Sequence, residues 1–158
     1  MPTHDERALF ELLTLEGAQA GLSWLTILKR REGYRRVFDG FDPETVSTFD
    51  DVRVDRILGD PSVIRHRQKI ASVVTNARAI VALREQGRGF EDLVWSFRAT
   101  ADEAHERSRA MNRSLRAHGF AFVGPTTCHS FMQAGGIVND HEPSCFRFAE
   151  LQRLTGLG

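Results

Sequence analysis

Three segments carry residues whose types and spacing could do chemistry. In the first, Leu13-Thr14-Leu15-Glu16-Gly17-Ala18-Gln19-Ala20-Gly21-Leu22-Ser23-Trp24, a carboxylate sits among small and apolar residues with a large aromatic eight residues on. An acid and a ring so placed can face one ligand in a pocket. Desolvation there raises the acid's pKa unless a cation or hydrogen-bond donors compensate. The plainer alternative is a surface Glu16 beside a core Trp24. In the second segment, Gly119-Phe120-Ala121-Phe122-Val123-Gly124-Pro125-Thr126, two glycines bracket an apolar turn that leads into a helix. Backbone N–H groups of such a turn, together with a helix N-terminus, suit an anion such as a DNA phosphate. A helix-to-helix turn in the core is the competing reading. The third, Val138-Asn139-Asp140-His141-Glu142-Pro143-Ser144-Cys145, holds an imidazole and a thiol four residues apart. Both are ligands that zinc favours, but structural zinc takes four, so His141 and Cys145 make half a site.

These segments need elements to position them. Apolar residues at 8, 9, 12, 13 and 15 predict a helix over 5–16, capped by Asp5 and ended or bent at Gly17. Ser23 caps a second helix that runs to Val37 or Phe38. Asp42-Pro43-Glu44 opens a short helix, and Asp50 caps another that ends at Gly59. The longest periodic segment is 66–86, with Ile70, Val73, Val74, Ala77, Ile80, Val81 and Leu83 at three- and four-residue steps. Shorter helices are predicted over 90–97, 102–117 and 125–134, followed by an irregular tail. No stretch alternates with a period of two over strand length. The expected fold class is all-α, a single compact multi-helix domain over 1–158.

Composition narrows the function classes. An apolar share of 41% with 27% charged residues excludes intrinsic disorder and fibrous repeats. The longest apolar run, Ala79 to Leu83, is far short of the roughly 20 residues a membrane-spanning helix needs. No membrane partner is expected. With Cys128 and Cys145 as its two cysteines and no secretory leader pattern, the chain is expected in a reducing cytoplasm. The 21 basic and 21 acidic residues cancel, so global charge names no polyanion partner. Locally, Lys29 to Arg36 and Arg65 to Lys69 concentrate cations that could form a phosphate footprint or simply solvated helix faces.

Taken together, the segments resemble the DNA-3-methyladenine glycosylase I family of helix-hairpin-helix DNA glycosylases. The resemblance runs through Leu9-Phe10-Glu11, Leu15 to Trp24, Ile64 to Ile70 with Asn76-Ala77-Arg78, and 90–97 with Trp95. It continues through Gly119 to Gly124 and Ser130-Phe131-Met132-Gln133-Ala134 to Val138-Asn139-Asp140-His141. It implies a chain that excises 3-methyladenine and related alkylated purines from double-stranded DNA during base excision repair, by hydrolysing the N-glycosidic bond. On that likeness Glu16 is the catalytic carboxylate and reads the edge of the flipped base, and Trp24 stacks on its face. Gly21 and Leu22, with Ala20, lie at the gap left in the duplex. The hairpin of Gly119, Phe120, Val123 and Gly124 grips the DNA backbone. His141 and Cys145 are two of the family's four ligands to a structural zinc. Where many helix-hairpin-helix glycosylases carry a catalytic Asp, this chain has Asn139, so a strong general base is not expected. A monomer is expected.

Members of the family resemble longer chains that begin earlier, with a Cys near the N-terminus and a Tyr-His-Asp-x-Glu-Trp-Gly stretch supplying the remaining zinc ligands and aromatic walls of the base pocket. Here Met1-Pro2 stands where the family usually has Val-Pro. The expectation is an N-terminal truncation, either a start-codon error or a natural one. A catalytically impaired DNA-binding remnant is therefore the alternative to an active glycosylase. His129, where relatives prefer Tyr, and a short spacer between Phe97 and Gly119 are smaller departures.

Overall fold

Local capping signals decide where the helices begin. A computed structural model describes residues 2–19 and 22–139, with the backbone alone at Trp24. Its elements in chain order are α1 (Glu6–Ala18), α2 (Trp24–Val37), a 3-10 turn (Asp39–Phe41), α3 (Pro43–Ser47), α4 (Asp51–Leu58), α5 (Arg67–Glu85), α6 (Phe90–Trp95), β1 (Ala99–Thr100), α7 (Ala104–Ala117), α8 (Pro125–Ala134) and β2 (Val138–Asn139). Asp5, Ser23 and Asp50 cap α1, α2 and α4 as their residue types predict, accepting from the N–H groups of Arg7, Thr26 and Arg53 at 3.3, 3.1 and 2.9 Å. Asp42 behaves differently: its carboxylate accepts from the Thr45 hydroxyl at 2.8 Å instead of a backbone N–H. The cap of α5 is His66, whose Nδ1 accepts from the Lys69 N–H at 3.2 Å.

The apolar stripes of these helices meet in one cluster. Leu9 and Leu13 of α1, Ile27 of α2, Ile70, Ala77 and Ile80 of α5, Leu115 of α7 and Phe131 of α8 are all at most 2% exposed. Burial of such stripes, more than intrinsic propensity, holds short helices in place. An aromatic group extends the cluster where the chain reverses through the left-handed residues Asp39, Gly40 and Phe41. There Phe41 packs edge-on to Phe10 at 5.4 Å and lies 5.7 Å from Phe38.

Helix dominates, as the all-α reading predicts, and the one ladder among the described residues is short. Ala99 pairs with Val138 and Thr100 with Asn139 in a parallel ladder of two residues each. Two residues are too few to show an alternating pattern, which is why the sequence reads this part of the tail as irregular. The flanking helices are shorter than the sequence predicts: α6 stops at Trp95 and α7 starts at Ala104. The residues before α1 are stitched to the same region. The Thr3 N–H donates to the Gly135 carbonyl at 3.0 Å, the Trp95 indole donates to the Thr3 carbonyl at 2.8 Å, and the His4 ring stacks on Trp95 at 4.2 Å. Among the described residues, no helix is long and apolar enough to cross a membrane.

Candidate active site

Two glutamates of α1 are buried, and they are treated in opposite ways. Glu11, 7% exposed, accepts from Arg31 and from Arg35, the latter at 2.8 and 3.1 Å, so its charge is met by two guanidinium groups of α2. Glu16, in the last turn, is 8% exposed. It makes no ion pair or hydrogen bond with another described residue. Burial alone therefore pushes its carboxyl up to about 7. At neutral pH it is poised between its two forms, and it would gain most from a ligand that brings a positive charge or a hydrogen-bond donor.

The chain leaves α1 through Gly17, which packs beside the 119–124 turn. A Cβ there would lie 3.7 Å from the Phe122 carbonyl, so the residue after Glu16 lies directly against the 119–124 turn. Leu22, in the connection to α2, is 39% exposed, and Leu25 is 62% exposed. Trp24 is the first residue of α2, directly after the Ser23 cap. Its side chain, like Ala20 and Gly21, lies outside the described residues.

The 119–124 turn connects α7 to α8 and is shaped by two left-handed residues, Gly119 at φ 90° and Phe122 at φ 55°. Its side chains divide by role. Phe120, stacked on Phe90 at 5.4 Å, and Val123 are buried, so they anchor the turn in the core and leave only their backbone to a ligand. Phe122 is 43% exposed. The backbone is held by three side chains whose part the sequence reading misses. Asn76 of α5 donates to the Ala121 carbonyl at 3.2 Å and accepts from the Ala121 N–H at 2.8 Å. Asn112 of α7 donates to the Val123 carbonyl at 2.5 Å, and the Cys128 thiol donates to the same oxygen at 3.1 Å. The signal for the two asparagines is an amide on a buried helix face, where a polar group requires a partner. No described residue accepts from the N–H groups of Phe122, Val123 and Gly124. Gly124 is also the N-cap of α8 and supplies no side-chain cap. Consecutive unpartnered amides at a helix N-terminus are the chemistry of an anion site.

The basic clusters are largely consumed inside the molecule. Arg30 donates to the Pro61 and Val63 carbonyls, Arg31 and Arg35 to Glu11, and Arg36 to Asp60. Arg67 pairs with Asp55. Lys29 and Lys69 have no carboxylate partner among the described residues. His141 and Cys145 fall outside the described residues, among which no three His, Cys, Asp or Glu side chains are grouped to hold a metal. Cys128 does not suit a ligand role, because its thiol is committed to Val123 and burial pushes its pKa up to about 12.

Known proteins resemble this chain in sequence and in fold. The model of the methyladenine glycosylase family matches residues 1–148. DNA-3-methyladenine glycosylase 1 of Escherichia coli strain K12 is 44% identical over 157 residues, covering 92% of this chain and 84% of the relative. DNA-3-methyladenine glycosylase of Haemophilus influenzae is 39% identical over 156 residues, covering 91% and 84%. Among solved structures, 3-methyladenine DNA glycosylase I from Staphylococcus aureus, described for its recognition of 3-methyladenine, superposes with a TM-score of 0.84 at 32% identity, over 92% of this chain and 84% of that one. Another 3-methyladenine DNA glycosylase I structure gives a TM-score of 0.84 at 43% identity, over 92% and 87%. A match of this extent in sequence and fold means that the chain belongs to the methyladenine glycosylase family, a family of N-glycosylase enzymes.

Proposed function

We propose that the chain removes 3-methyladenine from alkylated double-stranded DNA, with Glu16 as the carboxylate that reads and holds the base. The observation that carries this is Glu16 itself, 8% exposed, uncompensated by any described cation, and one residue from the Gly17 contact with the 119–124 turn. Alkylation at N3 makes the purine nucleoside cationic and weakens its glycosidic bond. A base in the stack is out of reach, so the nucleotide must be extruded. A cationic base beside Glu16 pulls its carboxyl down into the charged form, and an undamaged neutral base does not. The water that adds to the sugar carbon as the carbon–nitrogen bond breaks needs little activation, since the leaving base is already charged. Selection and stabilisation of positive charge are then the main tasks.

The other roles follow on the same reading. Trp24, at the start of α2, stacks on the base, and Gly21 with the exposed Leu22 fills the gap in the duplex. The turn from Gly119 to Gly124 is the hairpin of a helix-hairpin-helix element formed with α7 and α8. Its Phe122, Val123 and Gly124 amides meet a phosphate, while Phe120 and Val123 anchor it. Zinc at His141 and Cys145 belongs to the same proposal as a structural ion, with no step of the reaction resting on it. So do action as a monomer and a cytoplasmic location, supported by the free thiol of Cys128.

Release of 3-methyladenine from methylated duplex DNA tests the proposal. Glu16→Gln is expected to slow release about 10- to 100-fold, the range of a hydrogen bond to a charged group. Unchanged release sinks the role of Glu16. A chain that binds the duplex and releases no base is the impaired remnant instead.

A further inference from the structure

We propose that Asn76, a buried amide of α5, is the positioning residue of the DNA grip. The inference rests on the reading of the 119–124 turn as the element that holds the DNA backbone. Asn76 is 5% exposed and sits midway along α5, a 19-residue helix fixed in the core by Ile70, Val73, Ala77 and Ile80. From there its amide brackets a single residue of the turn, donating to the Ala121 carbonyl at 3.2 Å and accepting from the Ala121 N–H at 2.8 Å. At neutral pH a carboxamide offers that donor and that acceptor side by side, which an ionised carboxylate, an acceptor only, does not.

The bracket matters because of its neighbour. Phe122 is held at φ 55°, a conformation that a bulky residue keeps only when both flanks are fixed. Asn76 fixes Ala121 on one flank, and Asn112 with Cys128 fixes Val123 on the other. Between and beyond them lie the three unpartnered amides of Phe122, Val123 and Gly124. Asn76 thus takes up the Ala121 amide and presets the next three for an anion. The Phe122 carbonyl, next in the chain after the bracketed residue, lies close to Gly17, so the turn and the residue after Glu16 are neighbours.

The test uses the full chain with Asn76→Ala and Asn76→Asp. Three quantities are read: affinity for a duplex with a tetrahydrofuran abasic-site analogue, affinity for free 3-methyladenine, and the thermal midpoint. Expected is a loss of about tenfold or more in duplex affinity for both variants, with free-base affinity within about twofold of the parent. Asn76→Asp keeps the volume and the acceptor for Ala121, so it carries the test alone if the alanine variant does not fold. Its deficit relative to the parent should shrink as pH falls toward 5, because a protonated carboxyl can again donate to Ala121. Parental duplex affinity in the aspartate variant overturns the proposal. So does a parallel loss of free-base and duplex affinity, which would make Asn76 a residue of the fold only.

A third variant separates this from the underlying reading. A Cβ at Gly124 meets nothing within 4 Å, and its φ of −57° suits any residue, so Gly124→Asp fits and caps α8 while placing a carboxylate among the amides. Parental duplex affinity there means the turn is not the grip. Lost affinity there with parental affinity in the Asn76 variants removes the positioning role alone.

Discussion

Glu11 and Glu16 lie on one helix and are buried to the same degree, yet only one of them carries its burial as a cost. Glu11 recovers its hydration through Arg31 and Arg35, whereas Glu16 has a folded-state pKa of about 7 against an ordinary value of 4.5. The native chain therefore holds an extra proton between those values. Stability falls as pH rises through that window, and the penalty is complete above about 7. Glu16→Gln should stabilise the protein at pH 8 by on the order of 1–3 kcal/mol and change little near pH 4.5. Thermal midpoints of parent and variant across that range check this; a gap that does not widen with pH refutes it. A variant more stable and less active marks a residue kept for function. Part of this was legible beforehand: an acid flanked by Leu13, Leu15 and Ala18 announces desolvation. The contrast with Glu11 was not, because its compensating cations come from α2, 20 and 24 residues along the chain.

At the scale of elements, what could be read in advance was what is decided locally. Asp5, Ser23 and Asp50 meet their amides within three residues, so caps and periodicity located α1, α2, α4 and α5 closely. The β1–β2 ladder joins residues about 40 positions apart, and the Asn76 bracket spans 45, distances at which one sequence carries no periodic signal. Gly33 is another such case. It sits inside α2, where glycine costs about 1 kcal/mol against alanine. A Cβ there would stand 2.4 Å from both Cβ and Oγ of Ser62, the side chain that links Arg36 to Asp60. The same hydrogen bonds from Ser62, with Arg36 behind them, hold the Asp60 carboxyl down at about 2. Gly33→Ala should therefore destabilise the fold by about 1–3 kcal/mol, the usual cost of overpacking, despite the better helix former. A thermal midpoint at or above the parent's would show that the 60–63 turn gives way freely.

For the whole molecule, the balance of 21 basic and 21 acidic residues sets how DNA is bound more than whether it is bound. Proteins that neutralise many phosphates lose affinity steeply with salt, by about 0.9 per contact in log–log slope. Here the densest cluster, Lys29 to Arg36, spends Arg30 on carbonyls of the 61–63 turn, Arg31 and Arg35 on Glu11, and Arg36 on Asp60. The proposed grip relies instead on uncharged amides of the 119–124 turn, which release few counterions. Duplex affinity should then fall with a slope of only about −2 to −4 between 50 and 200 mM salt, equivalent to roughly two to four phosphates. Exposed ion pairs are weak enough to exchange partners, so the clusters need a direct check. Lys29→Glu should leave both affinity and slope at parental values. A slope steeper than about −6, reduced by that substitution, would show that the cationic face of α2 engages DNA. Specificity would then rest less on Glu16 and more on attraction to any duplex, which a neutral chain is poorly built to supply.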